Sequence, residues 1–160
     1  MSEEQPGPRY TGISKHVAER EGYALWLPSD WHRFKMRKGH RGAIFSPRPD
    51  DYTTSFSAEK ARLPYKVKKE DLATLREGFA AGLSSLPGAQ IEWQEETQSE
   101  GVLALDARFT FVENGERRKR WVRVIYAGNA QLTLIAQGRT PEDFEYWMPV
   151  FYNTMMTLEL

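Results

Sequence analysis

The ionisable side chains of this sequence offer few arrangements that could support catalysis. The three histidines, His16, His32 and His40, come from separate segments with no pair at ligand spacing, whereas a metal site needs three or four convergent ligands. Cysteine is absent, which excludes disulfides and thiolate metal sites. Neither a G-x-S-x-G nucleophile elbow nor a phosphate-binding glycine loop occurs. We therefore expect a protein that is not an enzyme and that holds no metal or cofactor.

Carboxylates that could act as an acid and a base do not converge. Glu95 and Glu96 are neighbours on a predicted strand, so their side chains point to opposite faces. Asp106 differs because it lies inside an otherwise apolar strand, opposite Arg123 in the register inferred below. A structural cross-strand ion pair is favoured there over a functional site, although perturbed buried charges do cluster at sites.

Two basic clusters are the candidates for binding. One lies in residues 31–41 and the other in residues 117–123, and both contain interleaved aromatic residues. The candidate binding residues are Trp31, Arg33, Lys35, Arg37, Arg118, Arg120 and Trp121. Such a surface can dock an acidic protein segment, or follow a phosphate backbone while its aromatic rings stack on bases. It can equally be a solvated strand face and an exposed hairpin tip, where Lys and Arg discourage edge aggregation.

The elements that position the first cluster are predicted strands. Alternating apolar and polar residues indicate strands over residues 23–27, 31–38, 42–46 and 53–62. Residues 13–20 fit either a strand or a short helix. Leucines and a phenylalanine at spacings of three and four then predict a helix over residues 69–86, which Pro87 and Gly88 end. Gly78 and Gly82 inside this helix are expected to let it approach the sheet closely.

The second cluster belongs to a predicted meander of four strands. Asn114-Gly115 is typical of a type I′ hairpin turn, and Gly128-Asn129 forms the next turn. If Glu113 faces Glu116, then Asp106 faces Arg123, and both faces of the sheet carry apolar residues. Both faces should therefore be covered.

A final helix begins after Thr140, a suitable N-cap, with Pro141 as its first residue. Pro149 lies inside this helix and is expected to kink or interrupt it.

Length and composition indicate one domain. The chain has 160 residues, of which 40% are hydrophobic, and its 22 basic residues balance its 22 acidic ones. We expect a flexible tail over residues 1–10 and one α+β domain over residues 11–160. The start lacks the basic and apolar regions of a signal peptide, and no apolar run is long enough to span a membrane. The sequence therefore predicts a cytoplasmic location without membrane contact.

Two segments resemble a known family. Residues 23–31, Tyr-Ala-Leu-Trp-Leu-Pro-Ser-Asp-Trp, resemble the opening motif of the PsbP-like superfamily. Gly138-Arg139-Thr140-Pro141 with Phe144 resembles its glycine followed by a capped C-terminal helix. The resemblance implies an antiparallel sheet meander flanked by amphipathic helices, an α/β/α sandwich used for binding rather than catalysis. The superfamily includes a photosynthetic extrinsic protein, a Ran-binding import factor and bacterial secretion adaptors, and it has no common catalytic residues.

The absent catalytic constellation and this resemblance favour a protein-interaction or adaptor module whose partner is another protein. The alternative is a small-ligand or nucleic-acid binder that uses the basic and aromatic surface. A homodimer is a further alternative.

Overall fold

The fold is described from a computed structural model, which defines residues 7–160. Nine strands and two α-helices follow one another along the chain, and a 3-10 turn, Lys69–Asp71, precedes the first helix. The strands are β1 (Ile13–Ala18), β2 (Tyr23–Pro28), β3 (His32–Lys35), β4 (Arg41–Ser46), β5 (Ser55–Arg62), β6 (Gln90–Ser99), β7 (Val102–Glu113), β8 (Glu116–Ala127) and β9 (Ala130–Gly138). The helices are α1 (Leu72–Ser84) and α2 (Pro141–Met156).

Seven of these strands form one antiparallel sheet in the order β3-β4-β5-β9-β8-β7-β6. The remaining two, β1 and β2, form a separate antiparallel hairpin. This arrangement confirms the predicted α+β class with an antiparallel meander. Of the two alternatives for residues 13–20, the structure shows the strand, β1. Residues 1–6 of the predicted tail lie outside the described residues. Within the rest of that tail, the Arg9 backbone N–H donates to the Tyr146 hydroxyl at 3.1 Å.

The inferred hairpin register is confirmed. Glu113 pairs with Glu116 and Asp106 with Arg123. The turn that joins β7 to β8 has positive φ at both central residues, 52° at Asn114 and 75° at Gly115, as a type I′ turn requires. Because side chains alternate between faces along a strand, this turn decides which side of the sheet receives each residue of β7 and β8.

One face of the sheet packs against α2 and the β1–β2 hairpin. Its core joins apolar residues of β2, β8 and β9 to the aromatic stripe of the helix, including Leu25, Trp121, Leu134, Phe144 and Phe151. Thr140 caps α2 by accepting the Asp143 backbone N–H at 3.1 Å. The Thr154 hydroxyl donates to the Trp26 carbonyl at 2.8 Å and so joins the far end of α2 to β2.

The expected interruption at Pro149 does not occur, since α2 runs through it from Pro141 to Met156. Pro149 and Glu145, the residue whose carbonyl loses its helical partner, are both exposed. Water can therefore satisfy that carbonyl, which removes the main penalty of an internal proline. Neither helix within residues 7–160 has the length and hydrophobicity needed to cross a membrane.

The opposite face packs against α1. Leu72, Leu75, Phe79 and Leu83 form the predicted stripe and contact a cluster that includes Leu105 and Phe109. The helix is shorter than predicted, because residues 69–71 form a 3-10 turn in which the Asp71 carboxylate accepts the Lys68 backbone N–H at 2.8 Å.

The role predicted for Gly78 and Gly82 is wrong. Both are exposed, and a Cβ atom at either position would meet nothing within 4 Å. Close approach instead occurs at Gly138, where a Cβ would lie 2.3 Å from the Phe144 backbone nitrogen.

These three glycines give a matched stability test. Gly78→Ala and Gly82→Ala should each stabilise the protein by about 0.5–1 kcal/mol, because alanine restricts the unfolded chain and favours the helix. Gly138→Ala should destabilise it by about 1–3 kcal/mol or more, because the new methyl group overlaps the backbone of α2. Urea unfolding of the variants measures these changes, and a destabilising Gly78→Ala would contradict the exposed placement of that position.

Candidate functional site

The first predicted basic cluster lies on β3, at one edge of the seven-stranded sheet, and in the residues that follow it. Arg33 is the register partner of Phe45, and Lys35 is that of Ala43, so these two basic side chains leave the same face of the strand. Both are exposed, as are Arg37 and Lys38 in the turn that follows. The structure thus places Arg33 and Lys35 on one face of an edge strand, with Arg37 exposed in the segment that follows.

The basic side chains Arg33, Lys35 and Arg37 form no ion pair with the carboxylates of residues 7–160. The charge of Arg33 acts on the neighbouring β1–β2 hairpin. Burial, and then the charge of Arg33, lower the pKa of His16 below its ordinary value, against the opposing effect of Glu21.

The other face of β3 carries an apolar contact. Phe34 pairs with Ile44 of β4, and both are only partly buried. The ring of Tyr52 lies 5.2 Å from that of Phe34, and Tyr52 is 54% exposed. The sequence gives no signal for Tyr52, because it lies in a turn and reaches β3 only through the pairing of β3, β4 and β5.

Trp31 belongs to the core rather than to this edge. It is 9% exposed, and its ring stands edge-on to Trp147 at 5.2 Å and to Phe151 at 6.4 Å. It therefore anchors the start of β3 against α2 and offers no exposed ring for stacking.

The second predicted cluster is not an exposed hairpin surface. Arg118 is 3% exposed and donates to the Glu113 carboxylate at 3.0 Å and to the Arg139 carbonyl at 3.2 Å. Arg120 donates to Gln137 Oε1 at 2.9 Å, and its guanidinium lies 4.4 Å from the Phe111 ring centre. These guanidiniums are bonded within the fold, which corrects the expectation of a solvated basic tip.

Trp121 is 1% exposed and belongs to a polar network in the α2-side core. Its indole Nε1 donates to the Asp106 carboxylate at 2.8 Å, and Arg123 Nε donates to the same oxygen at 2.8 Å. Arg108 lies between the rings of Trp93 and Trp121, 4.8 and 4.4 Å from their centres. The structural ion pair predicted for Asp106 is confirmed by its contact with Arg123. Asp106 also borders a cavity of about 300 Å³, whose lining includes Phe79 of α1 and Leu105.

The histidines remain apart. Residues 7–160 contain no group of three His, Asp or Glu side chains that could hold a metal ion. His40 Nδ1 lies 2.5 Å from Glu59 Oε1, and His16 packs edge-on to Phe45 at 4.9 Å.

The buried network makes a direct prediction. Asp106→Ala should destabilise the protein by about 3–5 kcal/mol, because it leaves Arg123 and the Trp121 indole N–H without their buried acceptor. Glu159→Ala is the control, since it breaks an exposed pair with Lys15 that water and salt screen. Denaturant unfolding measures the free energy of unfolding of both variants. Equal decreases in the two would contradict a stabilising role for the buried Asp106 carboxylate.

His16 predicts a pH dependence. Because its pKa is lowered in the folded state, the unfolded chain takes up a proton first as the pH falls. Its contribution to stability is complete above the ordinary histidine pKa of about 6.5 and is lost progressively as the pH falls from that value through the lower pKa of the folded state. His16→Gln should therefore flatten the fall in Tm between neutral and mildly acidic pH.

The carboxylates act in a separate pH range. Hydrogen bonds from Thr53 lower the pKa of Asp51, and those from Arg139 lower the pKa of Glu116, so both titrate at more acidic pH. Identical profiles of Tm against pH for the wild type and His16→Gln would show that His16 does not contribute to the pH dependence of stability.

Comparison with known proteins gives structural matches only. No protein-family model matches the sequence, and neither does any curated protein. The solution structure of cyanobacterial PsbP (CyanoP) from Synechocystis sp. PCC 6803 matches with a TM-score of 0.68 at 11% identity, over 99% of this chain and 98% of that one.

Two further structures match over almost their whole length. LpqN, involved in cell envelope biogenesis of Mycobacterium tuberculosis, matches with a TM-score of 0.63 at 16% identity, over 95% of this chain and 98% of that one. The Saccharomyces cerevisiae Ran-binding protein Mog1p matches with a TM-score of 0.56 at 6% identity, over 93% of this chain and 95% of that one. The resemblance found in the sequence is thereby confirmed at the level of architecture: this chain has the PsbP-like fold.

Proposed function

We propose that the protein is a non-enzymatic interaction module that docks an extended acidic segment of another protein along β3. The observation that carries the proposal is an exposed edge strand whose arginine and lysine side chains have no acidic partner within residues 7–160.

The backbone of β3 supports strand addition. Its inner edge pairs with β4 over the four residues from His32 to Lys35, whereas no described strand lies beyond its outer edge. An extended peptide can add to such an edge, with main-chain hydrogen bonds providing affinity and side chains providing specificity. The two faces of β3 then select the sequence of the peptide.

The selection follows from the alternation of side chains. Arg33 and Lys35 project from one face, so acidic residues at every second position of the partner would meet them. Phe34 and Tyr52 lie on the opposite face and would contact an apolar residue between the acidic ones. The preferred ligand is therefore an extended segment in which acidic and apolar residues alternate.

The structural matches support a binding role. Mog1p is described as a Ran-binding protein, which shows that one protein with this architecture binds another protein. The cytoplasmic location predicted from the sequence remains part of the proposal.

Nucleic acid is the less favoured ligand, because Trp31 and Trp121 are buried and cannot stack on bases. The exposed ring of Tyr52 contacts Phe34, on the face of β3 opposite Arg33 and Lys35. Self-association of two copies through β3 is also disfavoured, since it would bring Arg33 and Lys35 of both copies together without counter-charges.

Quantitative affinity proteomics tests the proposal with three baits. Arg33→Glu/Lys35→Glu reverses the charge of β3, and Lys66→Glu/Lys69→Glu makes the same charge change in the exposed segment before α1. We expect at least one protein with an acidic, alternating segment to bind the wild type and the control alike. Its recovery should fall tenfold or more with the β3 variant, equivalent to about 1.4 kcal/mol.

A synthetic peptide of that segment, titrated against labelled protein, should shift the backbone amides of β3 in NMR spectra. Equal recovery of all partners by the three baits would exclude the β3 edge. Loss of the bound material on nuclease treatment would assign the surface to nucleic acid instead.

A further inference from the structure

A cavity of about 630 Å³ lies at one end of the sheet, beyond the strand β3. Its walls come from four separate stretches: the β1–β2 turn, the β3–β4 turn, the end of β5 and the β8–β9 turn. The volume is within the range of about 300–1,000 Å³ that small-molecule sites occupy.

The lining of this cavity is predominantly basic. Arg20, Arg41, Lys60 and Arg62 line it, against the two carboxylates Glu21 and Glu59. Four formal positive charges against two negative ones leave an excess of two, with His40 counted as neutral. The sheet register explains the convergence, because Arg41 is the partner of Lys60 and Arg62 is the partner of Ala130.

The two carboxylates of the cavity, Glu21 and Glu59, form no ion pair with its arginines. Glu59 is held by His40, with Oε1 and Nδ1 2.5 Å apart. Lys60 donates to the backbone carbonyl of Glu21, which carries no charge. Among residues 7–160, Arg20, Arg41 and Arg62 take part in no ion pair.

Three exposed guanidiniums facing one cavity suit a particular chemistry. A guanidinium presents several N–H groups in a planar fork, which matches the oxygens of a phosphate or a carboxylate. The excess of two positive charges matches a ligand that carries at least two negative ones. The volume is larger than a single phosphate needs, so a small organic body can accompany the anionic groups.

We propose that this cavity binds a small molecule carrying two or more phosphate or carboxylate groups, with Arg41 and Arg62 as its principal contacts. This site is distinct from strand addition at β3 and does not depend on it. Arg20 and Lys60 supplement the charge of the cavity, and the side chain of Asn129 supplies a neutral polar group at its rim.

Isothermal titration calorimetry at low ionic strength tests the site with two probes, inorganic pyrophosphate and citrate, on the full chain. Arg41→Gln/Arg62→Gln removes two cavity charges. Lys66→Gln/Lys69→Gln is the control, since it removes two exposed positive charges that line neither this cavity nor β3. We expect the wild type and the control to bind at least one probe with similar Kd, and the cavity variant to bind it at least tenfold more weakly.

The two probes separate the sources of the oxyanion groups, because a response to pyrophosphate alone assigns a phosphate ligand and a response to citrate alone assigns a carboxylate ligand. Absence of binding to both probes, or an equal loss in both variants, would overturn the proposal in favour of diffuse surface charge. If the cavity variant does not fold, NMR titration of the wild type decides the question. Amide shifts should then concentrate at Gly39, Ala61 and Asn129, and shifts confined to other regions would overturn the site.

Discussion

The buried carboxylate of Asp106 is the constraint on which the arrangement of the sheet depends. It is 2% exposed and is compensated by hydrogen bonds from the Trp121 indole and the Arg123 guanidinium. Both donors lie on β8, two residues apart, and so share a face. A slip of one residue would turn both donors to the opposite face and leave a buried charge unpaired, at a cost that a marginally stable domain cannot bear. The hairpin turn and the buried ion pair thus specify the same register.

The basic residues of β8 hold neighbouring elements together. Arg123 donates to the Met155 carbonyl in the last turn of α2, at 3.3 Å. Lys119 lies 2.6 Å from Glu145 of α2 and 2.8 Å from Glu92 of β6. Arg118 and Arg120 are likewise bonded within the fold. A cluster that resembles a binding surface in the sequence is therefore used internally, and of the two clusters predicted from the sequence only the one on β3 and the residues after it is exposed.

The two edges of the sheet are protected in different ways. β6 has ten residues, most of them exposed, and it carries a bulge between Ile91 and Trp93 together with Glu95 and Glu96. Such a bulge and such charges discourage pairing with other chains. β3 has only four residues and carries basic side chains without acidic partners within residues 7–160. A short basic edge resists non-specific pairing and yet remains open to an acidic strand, which is the property that the proposed function uses.

The sequence by itself determined most of the elements and the pairing of β7 with β8, because alternation, helical spacing and Asn114-Gly115 are local signals that act within a few residues. It also placed Asp106 opposite Arg123. It left residues 13–20 open between a strand and a helix, and only the structure showed the strand β1. Only the tertiary structure decided which basic residues are exposed, since Arg118 is buried by contacts with Glu113 and with Arg139, 21 residues away. The cavity that Arg41 and Arg62 share likewise depends on four distant stretches. Burial is a property of what packs over a residue, and residues far apart in sequence supply that packing, so local patterns could not reveal it.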